Sequence, residues 1–244
     1  MTANSRPYII CYMAPSVDGR LIFDRFSKSF YNWDQDKGIL EFYDRVGIED
    51  LKSNVVILGR NTYYTDFCQK LYDIDSHKTP ASKFEPFKGK TSDKGFMIIL
   101  DSKGKSIYED KMLSEYNCIS ILSEKVSEDY LQYLRSRNVS YVFAGSDGNN
   151  FEKALITLKS MFGFERILLE GGGVVNGSFL KLKLIDEIAL MLMPSIDGNA
   201  SKPSIFEYNG NPDEFPAAGQ KLELIDSKAL SYGILLIRYK VHRE

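Results

Sequence analysis

Leu168-Leu169-Glu170-Gly171-Gly172-Gly173-Val174-Val175-Asn176-Gly177-Ser178-Phe179-Leu180 is the stretch that decides how this chain reads. It follows Arg166-Ile167, and the apolar run Ile167–Leu169 has the composition of a buried strand. Three glycines then break the strand, and Val174, Val175, Phe179, Leu180 and Leu182 recur at helical spacing. A strand that turns at glycines into a helix places backbone N–H groups at a positive helix end, where a phosphate is stabilised. Glycine also permits a ligand to approach where a Cβ would collide. The stretch therefore reads either as a dinucleotide pyrophosphate turn, with Glu170 beside it, or as a tight strand-to-helix turn that binds nothing.

Outward from that turn, apolar runs alternate with helical patterns. Tyr8–Met13, Asn54–Leu58, Phe96–Leu100, Cys118–Leu122, Ser140–Phe143 and Ile185–Met193 read as strands. Helices are predicted from an Asp34 cap to about Val46 with Ile39, Leu40, Phe42 and Tyr43 inward, from Asn61-Thr62, over Ser127–Arg135 and over Phe151–Met161. Leu222–Ser227 and Ile234–Tyr239, joined through Tyr232-Gly233, read as a closing antiparallel hairpin. The alternation predicts an α/β fold with a mostly parallel central sheet flanked by helices. No composition shift splits the chain, so residues 1–244 are expected to form a single domain. Residues 69–94 break the pattern with Pro80, Pro86, Gly89 and many lysines. They are expected to form a long surface loop, mobile rather than a working lid.

Of the 244 residues 43% are apolar and 26% charged, ordinary globular values. A net charge of −2 gives no basic excess for nucleic-acid binding. Cys11, Cys68 and Cys118 are far apart and odd in number, and His77 and His242 are the two histidines, so no metal site or disulfide framework is expected. Free thiols suit a reducing cytoplasm, and no apolar run is long enough for a membrane span.

Other strand ends carry similar chemistry. Gly59-Arg60-Asn61-Thr62 follows a buried strand and opens a helix; Thr62 offers a hydroxyl and Arg60 a forked cation for phosphate. Asp101-Ser102-Lys103 and Ser123 follow two further strands, and Ser102 with Lys103 suits a ribose 2′-phosphate. The carboxyl edge of an open α/β sheet is where ligands bind, although Ser102 and Ser123 are also ordinary turn residues. After the first strand comes Ser16-Val17-Asp18-Gly19-Arg20, a turn that offers Asp18 as a carboxylate for an amino-substituted heterocycle.

Taken in order, Ser16–Arg20, Gly59–Thr62, Asp101-Ser102, Glu170–Gly173 and Leu184-Ile185-Asp186-Glu187 resemble the reductase domain of bacterial bifunctional riboflavin-biosynthesis deaminase/reductases and their stand-alone relatives. More distantly the chain resembles dihydrofolate reductase. The resemblance covers about residues 8–197, with the terminal hairpin matching by fold. It implies a dihydrofolate-reductase-like fold and an NADPH-dependent oxidoreductase, usually a homodimer. Gly59, Thr62, Gly171, Gly172, Gly173 and Val174 would hold NADPH, with Arg60 and Ser102 near its phosphates. Asp18 and Glu170 would be catalytic and face the substrate, with Ser16 and Arg25 (Lys28 nearby) on the substrate side. The implied substrate is 5-amino-6-(5-phosphoribosylamino)uracil or a related phosphoribosylamino-pyrimidine, reduced at the ribosyl C1′. A pterin or other small-molecule substrate, or a non-catalytic NADPH-binding protein that engages a partner, stays open beside it. Two departures fall on the substrate side: Leu21-Ile22 replaces the usual Ile/Thr-Ala, and Tyr63–Phe67 replaces a proline-bearing stretch. No zinc-deaminase signature is present in the chain.

Overall fold

The computed structural model describes residues 5–32, 38–75 and 79–244. Among them nine strands make one sheet, mostly parallel, with the antiparallel strands at the C-terminus. This is the mixed α/β architecture expected from the alternation of runs. The chain divides into two compact units, residues 1–7 with 55–167 and residues 8–54 with 168–244.

The first unit holds β2 (Val55–Gly59), β3 (Phe96–Leu100), β4 (Asn117–Leu122) and β5 (Ser140–Phe143), side by side in the order β5-β4-β3-β2. All three pairings are parallel and in step: Val55 faces Phe96, Phe96 faces Asn117, and Ile119 faces Ser140. β2 and β3 read as apolar runs, and every residue of the four strands is buried or half-buried. Four helices belong here: α2 (Arg60–Asp66), α3 (Asp110–Glu115), α4 (Glu128–Ser136) and α5 (Phe151–Phe162). Ser127 caps α4 by accepting from the Tyr130 N–H at 3.2 Å, and Tyr130, Leu131 and Leu134 are its buried face. Asn150 caps α5 through the Lys153 N–H, and Gly163 ends it at φ +75°. The short α3 has no counterpart in the sequence reading. It buries Met112 alone, so no apolar repeat marks it.

Residues 67–95 hold no helix or regular strand in their described part, as expected of a loop, but the expectation of a mobile excursion is corrected. Tyr72, Ala81, Phe84 and Phe87 pack on the core cluster that contains Leu58, Tyr63, Met97, Ile99, Tyr130 and Phe143. Phe87 exchanges both backbone hydrogen bonds with Tyr141, and the Thr79 carbonyl accepts from the Glu128 N–H at 2.8 Å. The aromatic anchors are irregularly spaced, so no period reveals their burial. His77 lies outside the described residues.

The second unit holds β1 (Tyr8–Met13), β7 (Glu187–Leu192), β8 (Gln220–Ala229) and β9 (Leu235–Arg243), with α1 (Ile39–Glu49) and α6 (Gly173–Lys181). Strand β6 (Arg166–Leu169) is where the chain leaves the first unit and enters the second. β1 runs parallel to β7, Ile10 facing Glu187; β9 runs antiparallel to both β7 and β8, with a bulge at Leu224/Asp226. The Leu184–Glu187 motif fastens this unit. Asp186 accepts from the Ile9 N–H at 2.8 Å and from Arg243 at 2.8 Å, and Glu187 pairs with Arg238 at 2.7 Å while 2% exposed. Helix α1 starts at Ile39, and the proposed Asp34 cap lies outside the described residues. Leu40 is 63% exposed rather than inward; the buried positions of α1 are Val46 and Gly47.

Candidate active site

Glu170 sits directly after β6, at the turn into α6. Burial, with a smaller contribution from the Asp44 carboxylate, pushes its pKa up to about 8. Its surroundings are a tyrosine pair. Tyr12 from β1 and Tyr43 from α1 stack at 4.1 Å and 10°, and each hydroxyl donates to the other's carbonyl, at 3.0 and 2.8 Å. Both phenols are held well above the ordinary tyrosine value, first by burial and then by the charge of Glu170. A carboxyl in this setting keeps its proton near neutral pH and can donate it. Sequence reasoning placed Glu170 at this edge but missed Asp44, because a residue on the polar side of a helix carries no sign of the charge it faces.

The glycine turn follows. Gly171 adopts φ +82°, which favours glycine, and its peptide to Gly172 is cis. Gly172 is the N-cap of α6 in extended conformation, with no side chain capping it, and Val174 in the first turn is 44% exposed. Gly173 has a different reason to be glycine. A Cβ there would stand 2.3 Å from the Ser204 carbonyl oxygen, and one at Gly177 would stand 1.9 Å from that of Glu207. Ser204–Tyr208 thus lies on α6, held by the Glu207 N–H on the Gly173 carbonyl at 3.0 Å and by Asn176 on the Ile205 carbonyl at 2.8 Å.

Ser16, Asp18 and Arg25 come together in one clasp. Ser16 donates to Asp18 at 2.7 Å and accepts from the Arg20 N–H at 2.9 Å. Asp18 also accepts from the N–H groups of Asp197 and Gly198, at 3.1 and 2.8 Å; the Ser16 bond first, then those of Gly198 and Asp197, hold its pKa down at about 2. Arg25 grips Asp197 with two bonds, at 2.9 and 3.0 Å. The three predicted substrate-side residues therefore tie the 16–25 loop to the 195–198 loop. Asp18 stays ionised, and the carboxylate that raises Glu170 is Asp44. Residue types at this turn were legible; their partner Asp197, some 170 residues on, was not.

In the first unit, Gly59 is the extended N-cap of α2, and Arg60 donates to the neighbouring Asn61 at 3.0 Å; Thr62 lies in the first turn. Asp101 is buried and accepts from the N–H groups of Lys105 and Ser106, both at 2.7 Å, and from Tyr130 at 3.0 Å. It shapes the turn that presents Ser102 and Lys103. The Ser102 carbonyl accepts from the Ser123 hydroxyl at 2.6 Å, while its own hydroxyl has no hydrogen bond among the described residues. Beside this turn, Lys103 and Lys125 flank a cleft of about 300 Å³ floored by Gly104 and Tyr130. Lys125 was missed by sequence reasoning, since a lysine after a strand is the commonest of surface residues.

The sequence profile of the RibD C-terminal domain matches residues 7–236. The chain belongs to the RibD C-terminal domain family. Two curated members resembling it are the 2,5-diamino-6-ribosylamino-4(3H)-pyrimidinone 5′-phosphate reductases of Aquifex aeolicus and Methanothermobacter thermautotrophicus. The first is 23% identical over 212 residues, 84% of each chain; the second is 24% identical over 237 residues, 97% of this chain and 99% of the other. Among solved structures, Acinetobacter baumannii RibD (form 2) superposes with a TM-score of 0.65 at 21% identity, over 98% of this chain and 59% of that one. A pyrimidine reductase-like protein of Corynebacterium diphtheriae gives 0.64 at 17% identity, over 98% and 93%. At these identities the two structures establish a shared fold, that of a RibD C-terminal domain.

Proposed function

We propose that this chain is an NADPH-dependent reductase of a phosphoribosylamino-pyrimidine, with the diamino-pyrimidinone 5′-phosphate as its substrate and the deaminated uracil as the second choice. The observation that carries the reading is Glu170, a proton-holding carboxyl at the strand end beside the glycine turn, in a chain of this family. NADPH supplies the hydride when bound. Gly171, Gly172, Gly173 and Val174 on one turn, and Gly59, Arg60, Thr62 and Ser102 on the strand ends of the first unit, are the residues that would hold it. The cleft between Lys103 and Lys125 supports the reading by suiting the 2′-phosphate.

In the substrate, opening of the ribosyl ring gives a C1′=N imine. Hydride addition at C1′ must be matched by a proton on nitrogen, leaving a ribityl chain. Glu170 is the acid that provides it, and it regains its proton from solvent after turnover. Asp18 acts with it by keeping the substrate loop closed: fixed as an anion, it holds the 195–198 backbone in place. Ser16 and Arg25 complete that clasp on the substrate side.

We further propose a homodimer in the cytoplasm. Leu190, Leu192, Leu235, Ile237 and Leu224 share one face of β7, β9 and β8, and that face is incompletely covered; Leu222 and Leu224 are each 55% exposed on the edge strand. Among the described residues no helix is long and apolar enough to cross a membrane.

The test follows nicotinamide absorbance with each pyrimidine in turn. Oxidation of NADPH that needs both protein and the diamino-pyrimidinone supports the assignment. Oxidation only with a pterin, or NADPH binding without turnover on any of these compounds, refutes it. Sedimentation of Leu222→Lys/Leu224→Lys as monomer beside a wild-type dimer supports the dimer, and an unchanged mass refutes it.

A further inference from the structure

The amino ends of β3, β4 and β5 lie at the other end of the first unit from Gly59, Ser102 and Ser123, one strand length away, about 17 Å for five residues. A pocket of about 240 Å³ opens there, and three cations line it: Lys90, Lys94 and Arg137. Its rim is built. Asn138, at φ +58°, clamps Lys90 by accepting from its N–H and donating to its carbonyl, both at 2.8 Å. Asn117 grips the same segment, donating to the Ser92 and Lys94 carbonyls at 2.9 Å and accepting from the Ser92 N–H at 3.0 Å. With both carboxamides engaged in holding the rim, the charged groups among the lining residues are the three cations, beside the neutral Thr91, Ser92, Tyr116 and Ser140.

The cations are only lightly compensated. The Lys90 ammonium has no partner among the described residues, and that of Lys94 donates to the Leu113 carbonyl at 3.2 Å. Lys94 also acts on the pocket floor, where burial pushes the Cys118 thiol up to about 12 and the Lys94 charge opposes it. Arg137 pairs with Asp110, whose side chain is 92% exposed, and donates to the Tyr108 carbonyl at 3.1 Å. Three cations against one carboxylate leave a net charge near +2, the complement of a dianionic phosphate. The volume falls just under the ~300–1,000 Å³ of ordinary small-molecule clefts, which suits a small anion and not a dinucleotide.

We propose that this pocket is a second anion site, distinct from the cofactor edge, that binds a small phosphomonoester or free phosphate through Lys90, Lys94 and Arg137. A guanidinium fork and two ammoniums are the donor set that phosphate oxygens select.

Inorganic phosphate and ribose 5-phosphate are titrated calorimetrically into the protein saturated with NADP⁺. The expected result is saturable binding with one site, weakened at least about tenfold (~1.4 kcal/mol) in Lys90→Ala/Lys94→Ala and kept in Lys90→Arg/Lys94→Arg. Both side chains are exposed, and an unchanged melting temperature verifies that the variants fold. Affinity unchanged in the alanine pair overturns the proposal, as does absence of saturable binding by the wild type up to about 10 mM. Preference for ribose 5-phosphate over phosphate identifies a phosphomonoester as the ligand, and equal affinity identifies the phosphate group alone.

Discussion

Replacing Glu170 by glutamine keeps the size of the side chain and removes its titration. In the folded chain this carboxyl titrates at about 8, against an ordinary value of 4.5. Between those two values the unfolded chain has lost the proton and the folded chain still holds it. Stability therefore falls with rising pH, by about 1.4 kcal/mol per unit, and levels off above pH 8. The full interval of roughly 3.5 units sets an upper limit of about 5 kcal/mol, reduced by whatever water entry and side-chain rotation relieve. Glu170→Gln lacks this slope. Urea midpoints of both proteins, measured from about pH 5 to pH 9, should diverge steadily, with the variant increasingly the more stable. The same substitution should lower kcat by about two to four orders of magnitude, the ordinary contribution of a general acid. The wild type should show an alkaline limb near pH 8, and the variant should lack it. Parallel stability curves, or an alkaline limb that survives in the variant, would refute the assignment of a buried, protonated Glu170.

Three other perturbations read separate parts of the site. Gly173→Ala puts a Cβ against the Ser204 carbonyl and should destabilise the fold by about 1–3 kcal/mol, seen in a thermal melt; an unchanged melting temperature would mean the 204–208 segment yields freely. Asp18→Asn should cut turnover far more than NADPH affinity, because it frees the 195–198 backbone; equal losses in both would contradict this. Lys103→Ala/Lys125→Ala should raise the Kd for NADPH while leaving that for NADH unchanged, and equal effects on the two cofactors would remove the 2′-phosphate from that cleft.

The strand framework was legible because β2 and β3 are continuous apolar runs, a pattern that survives without knowledge of their neighbours. The helices over Ser127–Arg135 and Phe151–Met161 were legible from their apolar spacing, while the caps Ser127 and Asn150 show themselves in the fold. The site was legible only in its residue types. Gly173 looks like a glycine that admits a ligand, yet a Cβ there would meet the chain's own backbone at Ser204. Arg25 looks like a phosphate ligand, yet Asp197 holds it. Tyr72, Phe84 and Phe87 sit among prolines and lysines, and only the folded unit shows that they are core. In each case the deciding contact joins residues far apart in the chain, and local pattern carries no information about it.

The paired hydrogen bonds between Phe87 and Tyr141 have a consequence for assembly. β5 is the outermost strand of the first unit, and a free outermost strand invites another chain to add on. With Phe87 paired to it, that growth point is occupied from within the chain. Among the described residues β8 has no such cover. Association through β8 can join like to like about a two-fold axis and then has no second growth point, so it closes at two copies where a chain with two open ends would polymerise.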